Sequence, residues 1–237
     1  MRKLPVLMYH NFTLLKEKGS GLTIDKDLFE AQLQYLVKNN YNGLHFKDID
    51  KNEALPQKSI MLTFDDVTVN QLEIALPLLQ KYNFKAVFFV PFAYVGKSDL
   101  WNSGAEKIMT IEQLKFLPAD LIELGHHSFE HKRFKTLSKE EIEEDLKKSN
   151  QFINENQLNV VSAIAYPYGS YPKDKNKFQE FKTILKENGI QFGLRIGNKI
   201  NRFPFKEPYL IKRIDIKGED SIFRFKIKLL FGRTKLF

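Results

Sequence analysis

The sequence contains no cysteine among its 237 residues. Disulfides and thiolate metal sites are therefore excluded, and any metal must be held by His, Asp or Glu. No apolar run approaches the ~18 residues of a membrane-crossing helix. No stretch rich in Gly, Ser or Pro divides the chain and no internal repeat is evident, which favours one domain with an ample core. No nucleic-acid module pattern is present, so nucleic acid is not an expected partner. The apolar run within residues 1–10 is too short and too interrupted for a secretory signal. The expectation is a cytoplasmic protein, in which the sequon Asn11-Phe12-Thr13 has no consequence.

Hydrophobic residues make up 43% of the chain, as in globular domains. A formal charge of +8 and a pI near 9.3 favour anionic surroundings such as lipid headgroups or acidic glycans. Strands are expected at Val6–Tyr9, Tyr41–Phe46, Ser59–Phe64, Lys85–Val90, Leu121–Leu124, Val160–Ala165, Ile190–Leu194 and Tyr209–Ile216. Several are continuous apolar runs, which suits a parallel sheet covered on both faces. Helices alternate with them. Asp25 caps one whose apolar residues recur at helical spacing, and Leu72–Tyr82 reads as another that Pro77 breaks or restarts. Thr110 with Gln113 and Ser138 with Glu141 form capping boxes, and Gly189 stops a helix over Phe178–Asn188. The alternation implies one barrel-like α/β domain with its chemistry at the carboxyl ends of the strands.

Three polar clusters fall at such ends. Met61-Leu62-Thr63-Phe64-Asp65-Asp66 finishes a buried strand in two adjacent carboxylates. His127-Ser128-Phe129-Glu130-His131 follows the apolar run Leu121–Gly125, and Ala165-Tyr166-Pro167-Tyr168-Gly169 closes another strand. Paired carboxylates there are costly unless a metal or a proton transfer uses them. His127 and His131, four apart, can face one ion from a compact loop. With Asp66 or Asp65 they complete the two-imidazole, one-carboxylate set of a hydrolytic zinc site that keeps a position open for water. The other aspartate then serves as base. Cobalt, nickel and iron also suit these donors. His126 is expected to be a bystander, Ser128 to brace the loop, and His45 to be structural or exposed.

In these stretches the chain resembles the polysaccharide deacetylases of carbohydrate esterase family 4, with similarity from about Pro5 to Ile216. The resemblance implies a distorted (β/α) barrel of about seven mostly parallel strands. It also implies hydrolysis of an acetyl group, N-acetyl first, from a sugar of a polysaccharide or glycan precursor. By motif, Asp65 resembles the catalytic base, and Asp66, His127 and His131 the ligands of one divalent ion, zinc being the first expectation. The backbone N–H of Tyr168 resembles the oxyanion donor. There are departures. Val67 stands where the family usually has Gly and is expected to narrow the pocket or shift the turn. Ala165 stands where an arginine often orients the base, and Arg213 or Arg195 is expected to replace that charge. No histidine follows His131, although the family's general acid is a late histidine. Val6-Leu7-Met8-Tyr9-His10 resembles the opening of a branch with an N-terminal Tyr-His pair, which implies His10 as general acid. Trp101, Tyr166 and Pro167 are expected at the substrate, with plain packing as the alternative for the rings.

The tail, residues 221–237, carries Arg224, Lys226, Lys228, Arg233 and Lys235, no acid, and interspersed apolar residues. The expectation is a final helix docked on a catalytic domain of residues 1–220. The alternative is a segment lying on the inner face of an anionic membrane. Two rival functions also stand: a catalytically silent carbohydrate-binding relative, which Val67 and Ala165 favour, and a metal-dependent amidohydrolase acting on a non-sugar amide.

Overall fold

The structure is a computed structural model that describes residues 1–49 and 54–233. Residues 50–53, between the expected strands Tyr41–Phe46 and Ser59–Phe64, and the end of the tail with Lys235 lie outside the described residues.

Seven strands form the frame: β1 (Val6–Tyr9), β2 (Ser59–Asp65), β3 (Ala86–Val90), β4 (Ile122–His126), β5 (Val160–Ala165), β6 (Phe192–Ile196) and β7 (Ile211–Asp215). Each pairs in parallel with its sequence neighbour, except that β1 pairs with both β2 and β7. The ring is therefore closed, a (β/α) barrel of seven parallel strands. Strands buried on both faces need apolar residues throughout, and every residue of β1 to β4 is buried. Outside lie α1 (Lys26–Lys38), α2 (Leu76–Lys81), α3 (Ile111–Phe116), α4 (Lys139–Glu155), α5 (Lys175–Glu187) and α6 (Ile222–Phe231).

Side chains alternate along a strand. One set, with Val6, Met61, Val87, Phe89, Ala163, Ala165, Leu194 and Ile211, packs into a single cluster, while Leu7, Leu62, Phe64 and Phe88 join the outer core. Small residues make room for a large one in the first set: a Cβ on Gly125 would stand 2.5 Å from the Phe89 ring. Following the same alternation upward from Met61 and Ile211 reaches Thr63 and Asp65, and Arg213 and Asp215. The polar residues thus crown a line of inward positions.

The expected caps are present. Asp25 accepts the Leu28 N–H at 3.0 Å, and both capping boxes close. Two expectations change. The strand over Tyr41–Phe46 shrinks to Asn42–Gly43, because His45 and Asp48 cap a short 3-10 turn over Phe46–Asp48. The single helix over Leu72–Tyr82 becomes a wide π turn, Gln71–Ala75, running into α2. Pro77 lies in the first turn of α2, at the point where the π turn gives way to α-helix. The wide turn also sets Gln71, whose Nε2 donates to the carbonyls of His10 (2.7 Å) and Asp65 (2.6 Å) and so ties the ends of β1 and β2 together.

Past Asp65 the chain takes two left-handed residues, Asp66 (φ +78°) and Val67 (φ +46°). A β-branched residue there is strained. The turn is held by Asp66 N–H donating to Phe89 O (3.1 Å) and Met109 N–H donating to Val67 O (2.9 Å). Val67 does not narrow a pocket, as its position had implied: its side chain is fully buried in the outer core. Burial of the side chain offsets the strain of the backbone. At ordinary φ a glycine is less stable than an alanine, but here Val67→Gly should be the more stable of the two by about 1 kcal/mol, as read by urea denaturation of Val67→Gly against Val67→Ala.

Candidate metal centre and cleft

A cleft of about 250 Å³ opens at the carboxyl ends of the strands, lined among others by His10, Asp65, Asp66, Trp101, His127, His131, Tyr168 and Arg213. Donor atoms of Asp66, His127 and His131 all lie within 4.8 Å of one another. Nε2 of His127 and of His131 stand 3.5 and 3.4 Å from Asp66 Oδ1. That oxygen is buried and yet accepts no hydrogen bond. Two imidazole nitrogens and a carboxylate oxygen converge, which is the donor set of a cation. His127 is prepared for that role, since its Nδ1 donates to Ala165 O at 2.7 Å and leaves Nε2 facing the cluster. Burial pushes the His127 imidazole down to about 4 despite the carboxylate of Asp65, so the ring is neutral and its lone pair free.

The loop bearing both histidines is left-handed at Ser128 (φ +66°) and His131 (φ +54°). Asp145 of α4 holds it. Its carboxylate accepts the Ser128 hydroxyl at 2.8 Å and the Phe129 N–H at 3.0 Å, and it is 7% exposed. Burial lifts the Asp145 carboxyl above its ordinary value, against the pull of those donors. Ser128 braces the loop as expected.

Arg213 is the arginine that meets Asp65. Its Nη1 and Nη2 donate to Oδ1 and Oδ2 at 2.5 and 2.7 Å, and both side chains are buried. Burial alone would raise the Asp65 pKa, but the guanidinium overrides it and holds the carboxyl well below the usual range. Arg195 is elsewhere: it donates to Ile196 O and lies over the Tyr171 ring. Ala165 is buried, and its carbonyl serves His127. His10 Nε2 lies 3.6 Å from Asp65 Oδ2.

The aromatic expectations divide. Trp101 stacks on His131 with ring centroids 4.4 Å apart and lines the cleft. Tyr168 meets His131 in a T-shaped contact with ring centroids 4.8 Å apart, and Arg133 covers the Tyr168 ring at 3.7 Å. The Tyr168 backbone is left-handed (φ +58°). Tyr166 and Pro167 are not in the cleft. Tyr166 is fully buried beside α4 and α5, with its hydroxyl donating to Tyr209 O at 3.0 Å, and Pro167 is buried too. Alternation explains this, because Ala165 takes the inward position and Tyr166 the outward one. His126 also faces outward, edge-on to Phe92, and is a bystander; His45 is buried and shares a hydrogen bond with Leu121 O at 2.8 Å.

Sequence reasoning passed over Gln71 and Asp145, which hold the site from outside the cleft, and Asp99, Asn102 and Asp215, which line it. Asp145 had a signal. It recurs with Ile142, Leu146 and Ser149 on one buried helical face, where a carboxylate needs a partner. Gln71 and Asp99 had none.

A closed parallel barrel with two imidazoles and two carboxylates at its carboxyl end defines a class, the metal-centred hydrolase-like barrels. The chain belongs, within that class, to the polysaccharide deacetylase family, whose model matches residues 52–192. It is 28% identical over 196 residues to YxkH of Bacillus subtilis, itself named only as a candidate polysaccharide deacetylase; the match covers 81% of this chain and 64% of that one. It is 27% identical over 207 residues to the poly-beta-1,6-N-acetyl-D-glucosamine N-deacetylase of Staphylococcus epidermidis, covering 81% of this chain and 67% of that protein. The chain thus spans about two thirds of the length of these curated relatives. Among solved structures, Streptococcus pyogenes deacetylase PplD in complex with acetate superposes with a TM-score of 0.80 at 24% identity, covering 96% of this chain and 98% of that one. IcaB from Ammonifex degensii gives 0.75 at 22%, covering 92% and 93%. At such identities the two structures speak to the fold.

Removing one partner of a buried ion pair strands the other charge. Arg213→Ala should cost about 3–5 kcal/mol in thermal or urea denaturation, and Arg213→Met with Asp65→Asn should recover most of that loss. Asp145→Ala should weaken zinc binding about 10–100-fold by competitive titration with a chromogenic chelator, because the loop that aims His127 and His131 loses its anchor.

Proposed function

We propose that this protein hydrolyses the acetyl group of an N-acetylated sugar within a glycan. The observation that carries the reading is the convergence of Asp66, His127 and His131 beside an Asp65 paired to Arg213. Family membership and the activity named for the Staphylococcus relatives support it.

Asp66, His127 and His131 hold one divalent ion. Two imidazoles and a carboxylate suit zinc. When bound, the ion supplies Lewis acidity, acidifying a water and polarising the acetyl carbonyl. The remaining steps belong to this chain. Asp65, ionised through Arg213, takes a proton from the attacking water. Held so far down, Asp65 would be a weak base on its own, and its role would depend on the ion that Asp66, His127 and His131 would hold. The Tyr168 N–H, set by its left-handed backbone, offers a hydrogen bond to the oxygen on which negative charge develops. His10 protonates the nitrogen as the carbon–nitrogen bond breaks, giving acetate and a free amine. Trp101 and Tyr168 border the cleft, where a sugar ring would meet them.

The two departures that favoured a silent relative do not disturb this arrangement: Val67 turns into the core, and Arg213 supplies the charge that Ala165 lacks. Incubation with N-acetylglucosamine oligomers should release acetate, cease with a chelator and resume on adding zinc. Asp66→Ala should lose both zinc and activity, whereas His10→Ala should keep zinc and lose about 10²–10⁴-fold in kcat. Retention of oligomers without acetate release would instead mean a binding relative, and faster turnover of simple acetamides a non-sugar amidohydrolase.

A further inference from the structure

The helix α6 is apolar on two sides. It docks through Phe225 and Leu229, which are buried in the outer core. Its other side leaves Phe223, Leu230 and Phe231 exposed, at 68%, 56% and 54%. Large apolar side chains gathered on a surface mark a site of contact.

Positive charge gathers near the carboxyl end of α6. Lys3 and Arg202 sit directly opposite each other on the paired strands Arg2–Leu4 and Asn201–Phe203, and both are exposed. Like charges so placed repel unless an anion lies over them. Arg2 and Lys3 line, with Leu229 and Leu230, a cavity of about 430 Å³. Gly232 brings the end of α6 against Lys199, where an added Cβ would stand 2.6 Å from the Lys199 Cα. Among the described residues, none of Arg2, Lys3, Lys199, Arg202, Arg224 and Lys226 has an acidic partner.

We propose that this surface seats the protein on an anionic lipid bilayer. Phe223, Leu230 and Phe231 enter the boundary between headgroups and acyl chains, and the cations meet lipid phosphates. A bilayer satisfies both halves of the patch at once, the apolar face of the helix and the unpaired positive charge around it. The contact is peripheral, since no helix among the described residues is long and apolar enough to cross a membrane. Arg2–Leu4 leads into the amino end of β1, whereas the cleft opens at the carboxyl ends, so a seated molecule keeps its cleft clear. The inference is independent of the chemistry proposed above.

The test is co-sedimentation of the full chain with vesicles of phosphatidylcholine alone and with about one-third phosphatidylglycerol. The wild type should pellet with the anionic vesicles only. The triple variant Phe223→Ser, Leu230→Ser, Phe231→Ser should bind about tenfold less, as should Lys3→Glu with Arg202→Glu. A control with the same charge change on the exposed face of α5, Lys177→Glu with Lys186→Glu, should bind like the wild type. Thermal melts confirm that each variant is folded; should the triple variant fail, the Lys3 and Arg202 variant reads alone. Acetate release from a soluble oligomer should be unchanged throughout. The proposal is overturned if the wild type stays in the supernatant, if both patch variants pellet fully, or if the α5 control loses as much. It is also overturned if light scattering finds a dimer that the triple variant dissolves, since the patch would then be covered by a second copy.

Discussion

Neighbouring side chains on a strand diverge, yet this cleft needs Asp65 and Asp66 to converge. The conflict is resolved by ending the strand after Asp65 and placing the next two residues in the left-handed region. Everything at the site follows from that turn. Asp65 stays in line with the inward positions of β2 and reaches Arg213 on β7. Asp66 swings across to the histidine loop. The turn is held by backbone bonds from Met109 and to Phe89, and by a valine whose burial outweighs its strained backbone.

The same economy governs the second arm of the site. Buried polar groups are costly unless satisfied, and the histidine loop is satisfied from three directions. Ala165 O takes the His127 ring nitrogen, Asp145 takes the loop hydroxyl and amide, and Trp101 and Tyr168 enclose His131. Nε2 of both imidazoles and the unpartnered Asp66 oxygen are aimed at one point. The lack of cysteine is consistent with this choice of donors, since the candidate cation site is made wholly of nitrogen and oxygen atoms.

Much of this was legible in the sequence because it rests on local rules. The strand–helix alternation gave the barrel, and the caps at Asp25, Thr110 and Ser138 gave helix starts. Asp65-Asp66 and the spacing from His127 to His131 gave the cluster. Arg213 was one of two candidates, and chain position alone could not separate it from Arg195, because that needs the pairing of β7 with β1 and of β1 with β2. Tyr166 and Pro167 were misplaced for want of one phase: the inward set of β5 ends at Ala165. Gln71 was invisible, since a helical pattern with a proline gives no sign that the backbone will widen into a π turn.

The ring closes where Leu7 of β1 meets Ile214 of β7. That contact joins nearly the whole length of the chain, the sort of pairing that forms late. A polypeptide emerging from a ribosome would therefore display Asp66, His127 and His131 well before Arg213 exists to steady Asp65. Until then an unaccompanied carboxylate sits at the mouth of an open ring and resists being dried. Incomplete copies would stay ajar at that seam, while finished ones close it with the arginine that pairs Asp65.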